Sequence, residues 1–196
     1  MMRCMAWLPL RFSALCVLLV IAACTPLAVR SPDSVAARQR STGFLLEGRI
    51  SATDGQQNVS GRVTWQHASY LDEWTLYSPL GNIVGQLRHV PAQGAVLRMA
   101  DGTQYREDNV QTMLPRLLGV DAPVSALADW VQATPQVSAR VLAYDDAGRP
   151  ARMSEGGWIV EYPAYADNTG SALPKRVVIS RGETRLTLVI DRWQPQ

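Results

Sequence analysis

The feature that most constrains the fold is a series of short segments in which apolar and polar residues alternate, each closed by turn-forming residues. In the first segment Phe44 and Leu46 share one face, and Asp54-Gly55 follows as a hairpin signal. About ten such segments lie between residues 44 and 193, and few of them are separated by enough residues for a crossover helix. The pattern predicts an antiparallel sheet that curls into a barrel.

One stretch, residues 108–135, has helical instead of strand periodicity. Asp108 or Asn109 can cap a first helix, and Pro115 requires that this helix kinks or starts late. A second short helix follows Pro123. Helices of this length are not stable alone, so we expect both to cover one face or one mouth of the sheet.

A turn signal, Ser78-Pro79-Leu80-Gly81, joins two apolar runs with strand character. Proline presets φ at the second position of a turn and glycine suits the last, but turn tips normally carry small or polar residues. Leu80 therefore either folds back onto neighbouring elements or faces outward, toward a membrane or an acyl chain. The turn by itself leaves both alternatives open.

The N-terminal residues have the pattern of a secretion signal. Arg3 and Arg11 supply positive charge, and residues 12–23 form an apolar run that is too short to span a bilayer comfortably. The run ends in Ile-Ala-Ala before Cys24, which resembles the bacterial lipoprotein box, where the cysteine is lipidated after cleavage. Ordinary secretion is the alternative, because small residues precede the cut in both cases.

Cysteine usage favours the lipoprotein interpretation. Cys4 and Cys16 fall inside the signal, so Cys24 is the only thiol expected in the mature chain and no intrachain disulfide can form. Thr25 follows it, and by resemblance to the sorting rule of enterobacterial lipoproteins this favours the outer membrane over the inner one. The expected organisation is a signal peptide over residues 1–23, a flexible tether lipidated at Cys24 over residues 24–41, and one domain over residues 42–196.

The remaining composition argues against catalysis and nucleic-acid binding. Once the signal peptide is removed, 17 basic residues balance 17 acidic ones, so no basic stripe marks a nucleic-acid site. His67 and His89 lie among polar neighbours next to strand ends, and we expect both at the surface instead of in a zinc site. Asp145-Asp146 falls in a hairpin signal, and we expect these carboxylates to stabilise the turn and not to form a catalytic pair. The sequence thus predicts neither a metal nor a cofactor, and no enzyme active site.

Small residues on the predicted inner faces bear on whether the barrel is hollow. Gly48, Ala52 and Gly61 leave room inside, and barrels of about eight or more strands can hold a ligand. The alternative is that the glycines mark bulges or close packing against the helices.

Several short motifs occur together in the order and spacing of one known family. In chain order they are Trp65-Gln66, Trp74 to Gly81, Asp101-Gly102, Leu117-Leu118-Gly119, Pro123-Val124 with Leu127 and Trp130-Val131, Gly157-Trp158 with Val160, Tyr162 and Tyr165, and Leu173-Pro174. With the lipoprotein box, they resemble the LolB family of outer-membrane lipoprotein receptors over nearly the whole mature chain. One departure is Ala133, which stands before Thr134-Pro135 where glycine is expected.

The resemblance implies a mainly β fold with short helices, in which a half-open antiparallel β-barrel and a helical lid enclose an apolar cavity. It implies a monomer, facing the periplasm, that accepts lipoproteins from the periplasmic carrier LolA and inserts them into the outer membrane without nucleotide. A leucine in the family's Pro-Leu-Gly loop is implicated in delivery, and that position matches Leu80, between Pro79 and Gly81. Together with the lipid anchor and the expected hollow barrel, this match favours the outward alternative for Leu80, in a loop that enters the membrane.

Strand parity assigns the lining of the expected cavity to thirteen residues. They are Phe44, Leu46, Ile50, Val63, Trp65, Leu76, Leu97, Met99, Trp158, Val160, Leu186, Leu188 and Ile190. The main alternative function is a structural outer-membrane lipoprotein with a solid core whose surface docks an assembly.

Overall fold

The computed structural model describes residues 38–121 and 123–196. The predicted signal peptide, Cys24 and the tether up to residue 37 lie outside these ranges. The described strands are β1 Phe44–Thr53, β2 Asn58–Ala68, β3 Leu71–Tyr77, β4 Ile83–Val90, β5 Gly94–Met99, β6 Gln104–Glu107, β7 Arg140–Tyr144, β8 Pro150–Glu155, β9 Trp158–Tyr165, β10 Pro174–Arg181 and β11 Thr184–Pro195.

All eleven described strands form one antiparallel sheet in the order β6-β5-β4-β3-β2-β1-β11-β10-β9-β8-β7. Consecutive strands pair with each other except β6 and β7, and β1 also pairs with β11, so the first and last strands meet in the middle of the sheet. The sheet is open, with β6 and β7 at its edges, and the chain crosses between these edges through the helical stretch. The predicted half-open antiparallel barrel with short helices is confirmed, with eleven strands where about ten were expected from the strand signals.

The helical stretch begins with a single 3-10 turn, Val110–Thr112, followed by α1, Met113–Leu118, and α2, Val124–Trp130. The side chain of Asn109 caps the 3-10 turn by accepting a hydrogen bond from the Gln111 N–H at 2.9 Å. Helix α1 therefore starts late, which places Pro115 in its first turn, where no intrahelical N–H bond is lost. It ends at Gly119, whose left-handed φ of 71° allows its N–H to bond the carbonyl of Pro115 at 2.7 Å.

Both helices lie on the concave side of the sheet and complete its core. Leu117 packs against Gly85 of β4, where a Cβ would stand only 2.7 Å from the leucine Cδ1. Gly119 lies next to Val59 of β2, with the valine Cγ2 3.4 Å from the position of a Cβ. The inward side chains of the strands and the apolar side chains of both helices form a single hydrophobic cluster, which we call the apolar interior.

Two of the inward glycines permit close contact between strands and do not create space. Gly48 lies where the register of β1 against β11 shifts, and a Cβ there would stand 2.3 Å from the carbonyl oxygen of Val189. A Cβ on Gly61 would stand 2.0 Å from the carbonyl oxygen of Tyr77. The expectation that these glycines leave room for a ligand is wrong, because neighbouring backbone already occupies that space.

The last residues of the predicted tether are attached to the domain. Arg38 donates from Nη1 to the carbonyl of Gly170 at 2.9 Å and from Nη2 to that of Ala172 at 2.6 Å. The Ser41 N–H donates to Oε1 of Gln132, just after α2, at 2.9 Å. Residues 38–41 thus bind the loop between β9 and β10 and the segment just after α2. Neither helix within the described ranges is long and apolar enough to cross a membrane.

Candidate functional site

The structure gathers the thirteen residues predicted from strand parity on the concave side of the sheet. Twelve of them are buried, and Met99 is partly buried against the same cluster. In this structure the side chains of α1 and α2, among them Leu114 and Leu127, fill the space that the strands surround. That these residues bind acyl chains stays a prediction.

Aromatic rings form a continuous layer near the start of β1. The ring centroids of Phe44 and Trp65 are 4.9 Å apart in an edge-to-face arrangement, and Trp193 contacts Phe44 at the same separation. Trp65 stacks on Trp74 with centroids 4.0 Å apart and ring planes 22° apart. Trp74 was not among the predicted cavity residues, although it shares a strand face with Leu76 and the same parity rule could have found it.

One carboxylate, that of Asp72, orients the outer edge of this aromatic layer. Its Oδ1 accepts a hydrogen bond from the indole Nε1 of Trp65 at 3.0 Å and lies 2.7 Å from Nδ1 of His67. His89 Nδ1 lies 4.0 Å from its Oδ2. Both histidine side chains are less than one-fifth exposed, so the expectation of surface histidines is wrong. They lie at the rim of the aromatic layer.

An open cavity of about 450 Å³, which we call the mouth cavity, lies at the end of the barrel where β1 begins. Phe44 and Trp193 belong to its lining and connect it to the aromatic layer. Arg38, Ser41 and Gln132 line it as well, so the attached N-terminal residues form part of its wall. The mouth cavity is therefore an approach to the apolar interior, bordered by polar groups.

The turn between β3 and β4 presents Leu80 to solvent. The N–H of Gly81 bonds the Ser78 carbonyl at 2.9 Å, and the Ser78 N–H bonds the Asn82 carbonyl at 2.8 Å. Gly81 adopts a φ of 89°, the left-handed conformation that suits a three-residue hairpin loop. Leu80 is 89% exposed, and Ile83 at the start of β4 is 46% exposed. Of the two alternatives for Leu80, the structure shows the outward one.

Two arginines lie beside this turn on the outer face of the sheet. Arg49 and Arg62 are directly opposite each other in the register of β1 and β2. Together with Pro79 they line a second cavity of about 450 Å³. Arg49 also pairs with Asp191 at 3.1 Å. The exposed apolar tip is thus bordered by positive charge.

A polar cluster that the sequence did not reveal surrounds Arg149. Its guanidinium donates from Nε to Oδ2 of Asp145 at 2.7 Å and from Nη1 to the carbonyl of Thr169 at 3.0 Å, and it lies 4.1 Å from the ring centroid of Tyr165. Partial burial alone would raise the pKa of Asp145, but the hydrogen bonds and charge of Arg149, with the Ala147 N–H, hold it below its usual value. These bonds close the β7–β8 turn, so the prediction that Asp145 stabilises a turn is confirmed.

Comparison with known proteins agrees with this architecture. Residues 42–193 match the family described as Outer membrane lipoprotein LolB. An outer-membrane lipoprotein LolB of Azoarcus sp. (strain BH72) is 45% identical over 175 residues, which cover 89% of this chain and 90% of the relative. Outer-membrane lipoproteins LolB of Thiobacillus denitrificans, at 35% identity over 77% of this chain and 80% of the relative, and of Dechloromonas aromatica (strain RCB), at 32% over 94% and 97%, are also similar. This chain therefore belongs to the LolB family of outer-membrane lipoproteins.

Proposed function

We propose that this chain accepts lipoproteins from the periplasmic carrier LolA by burying their acyl chains in the apolar interior, and releases them into the outer membrane through the Leu80 turn. In general terms it is a lipoprotein-localisation factor of the outer membrane, not an enzyme. The observation that carries the proposal is an apolar concave face that, within the described residues, is covered by two short helices.

Acyl chains require such a surface because water is a poor solvent for them. Burying each methylene contributes about 0.8 kcal/mol, so one long chain left in water costs on the order of 10 kcal/mol. The sequence contains no glycine-rich phosphate-binding motif, and transfer without an energy source runs only toward the tighter partner. The receptor must therefore bind acyl chains more tightly than the carrier, and the bilayer must bind them more tightly still.

Acyl chains can enter only if part of the helical cover moves, since helix side chains fill the concave side here. The end of α2 is held by polar contacts: Trp130 donates to Glu155 at 2.7 Å and receives a bond from the Tyr162 hydroxyl at 2.9 Å. Helix α1 is held by apolar side chains and by an exposed ion pair of Arg116 with Glu107 at 3.6 Å. Helix α1 is thus the element we expect acyl chains to displace.

Leu80 supplies the contact with the membrane. A leucine that is 89% exposed at a turn tip can enter the interface of a bilayer without unfolding anything, because the turn is closed by its own backbone bonds. Substitution with glutamate places a charge where apolar contact is required. Leu80→Glu should therefore leave acceptance intact and block delivery.

The test measures acceptance and delivery separately. The lipid-anchored chain in vesicles receives a fluorescent lipoprotein from LolA, and transfer to the receptor and then to the lipid is followed. Val137→Glu is the matched control, because Val137 is a fully exposed aliphatic residue in another loop. Delivery should fall at least tenfold for Leu80→Glu and remain unchanged for Val137→Glu. Normal delivery by Leu80→Glu, or loss of acceptance alone, would contradict the assigned role of the turn.

A structural lipoprotein with a solid core is the second candidate, because helix side chains fill the interior of this structure. The two functions differ in whether the interior opens. Addition of a fluorescent acyl probe should give saturable binding and faster amide hydrogen exchange in Met113–Leu118 if the proposed receptor function holds. A solid core would give neither result.

A further inference from the structure

Trp74 places an unpaired hydrogen-bond donor inside the apolar interior. Its indole Nε1 is buried and has no acceptor among the residues that the structure describes. The side chain is 3% exposed on the concave face, and the residues directly opposite it on the neighbouring strands are Trp65 and Leu87. Leaving such an N–H unpaired in an apolar environment costs about 1–3 kcal/mol, so its presence requires an explanation.

Of the four other tryptophans within the described residues, three have indole N–H groups with acceptors. Trp65 donates to Asp72 at 3.0 Å, and Trp130 donates to Glu155 at 2.7 Å. Trp193 donates to a backbone carbonyl, that of Pro174, at 3.2 Å. Buried tryptophans usually find a partner in this way. Trp74 departs from this behaviour at a position that faces the proposed binding site.

We infer that Trp74 Nε1 donates a hydrogen bond to the ester carbonyl that links an acyl chain to the glyceryl group on the acylated cysteine of a bound lipoprotein. This inference rests on the proposed function. Acyl chains themselves carry no acceptor, so the carbonyls of their linkages are the acceptors that must accompany them into an apolar site. An indole only donates and bears no charge, which suits a neutral carbonyl.

The position of Trp74 agrees with that role. The polypeptide of a bound lipoprotein stays outside the barrel, so its ester groups lie near an opening while the chain ends go deeper. Trp74 stacks on Trp65, which contacts Phe44, and Phe44 lines the mouth cavity. The free N–H thus lies one aromatic layer below an opening of about 450 Å³.

The experiment compares two probes that differ only in the carbonyls. The lipid-anchored chain in nanodiscs is titrated with a diacylglyceryl-cysteine peptide or with its dialkyl ether counterpart of equal chain length, each in competition with a fluorescent acyl probe. One hydrogen bond should make the ester bind about three- to tenfold more tightly than the ether. Trp74→Phe keeps a buried ring but removes the N–H, and the preference should disappear.

Tyr70→Phe is the control, because it removes a hydrogen-bond donor from an aromatic side chain that is 68% exposed and lies outside the apolar interior. Its ester-to-ether ratio should equal that of the unchanged chain. In the unchanged chain, the Trp74 indole N–H resonance should move downfield with the ester and not with the ether. Equal affinities for the two probes in the unchanged chain, or a preference that survives Trp74→Phe, would overturn the inference while leaving the proposed function standing. Failure of both probes to displace the acyl probe would overturn both.

Discussion

The Nε atom of Arg40 lies 2.8 Å from Oδ1 of Asp129, and this ion pair joins the segment before β1 to helix α2. The carboxylate is buried, and its other oxygen accepts a bond from Gln136. A chain that begins at Thr42, the predicted start of the domain, leaves this carboxylate without its cation. We expect it to be less stable than a chain beginning at Arg38 by about 1–3 kcal/mol.

Urea unfolding of the two chains measures this difference. Arg40→Gln in the longer chain should reproduce most of the loss, because it removes the charge and keeps the segment. Equal stability of the two chains would show that the N-terminal attachment contributes nothing to folding.

A second prediction concerns Ala133, which has a φ of 53° and is completely buried. This left-handed conformation explains why glycine is expected there, since a Cβ costs roughly 1–2 kcal/mol in that region. Ala133→Val adds a branched side chain to a strained, enclosed position and should destabilise the domain by at least about 2 kcal/mol.

Ala133→Gly is the matched comparison and should change stability by less than about 1 kcal/mol. It relieves the backbone strain, but the greater freedom of glycine in the unfolded chain and the lost methyl contact offset the gain. Thermal unfolding of both variants tests the explanation. A valine variant as stable as the glycine variant would contradict it.

Much of the architecture follows from local rules that the sequence displays directly. The inward parity of β1 and β11, the cap at Asn109 and the stop at Gly119 depend only on periodicity and on residues within a few positions of each other. The turn alone does not decide the direction of Leu80, and the outward prediction depends also on the lipid anchor, the expected hollow barrel and the family resemblance.

Features that depend on which strands meet could not be predicted in the same way. Position 61 accommodates glycine and no larger residue, because the carbonyl of Tyr77 on β3 occupies the adjacent space. That cause can be recognised only when the strand register is known. Arg149 donates a hydrogen bond to a backbone carbonyl about twenty residues further along the chain. Likewise, Trp74 Nε1 lacks an acceptor because of how the interior packs around it, which its neighbours in sequence do not reveal.

The contact at Gly61 gives a third prediction. A methyl group there would stand 2.0 Å from the Tyr77 carbonyl oxygen, so Gly61→Ala must separate β2 from β3. We expect a loss of about 1–3 kcal/mol in the free energy of unfolding. Gly170→Ala is the control, since its nearest neighbour would lie at an ordinary 3.6 Å. Similar losses in both variants would mean that steric contact is not the cause.

The Asp145–Arg149 pair gives a fourth prediction, on pH. The pKa of Asp145 is lower in the folded protein than in the unfolded chain, where it is near 3.8. The ionised carboxylate therefore stabilises the fold fully above pH 3.8, and this stabilisation is lost as the pH falls through the pKa of the folded state. Asp145→Asn should therefore be clearly less stable than the unchanged chain at pH 7, because it leaves the buried Arg149 without its counter-ion. The difference in free energy of unfolding between the two chains should decrease below about pH 4. Chemical unfolding across pH 2–7 measures this difference. A difference that does not change with pH would contradict the proposed link between the ionisation of Asp145 and stability.

The position of Arg62 beside the Leu80 turn gives the last prediction. Arg62 and Arg49 face each other across β1 and β2, and only Arg49 has a close carboxylate, that of Asp191, among the ion pairs of the described residues. If the turn enters a bilayer, Arg62 comes near lipid phosphates, where one arginine contributes about 1 kcal/mol of attraction to an anionic surface. Arg62→Gln should therefore slow delivery into phosphatidylglycerol vesicles about fivefold at low salt.

The effect should shrink at high salt, where the charges are screened, and in vesicles without anionic lipid. Arg98→Gln provides the control, because Arg98 lies on β5, between Gln86 of β4 and Gln104 of β6, two strands beyond the β3–β2 pair that carries the turn and Arg62. Equal slowing by the two variants would assign the effect to the net charge of the domain. A selective effect of Arg62→Gln that persists at physiological salt would instead place the lipid surface at the Leu80 turn, since charges more than about 8 Å from the surface are largely screened there.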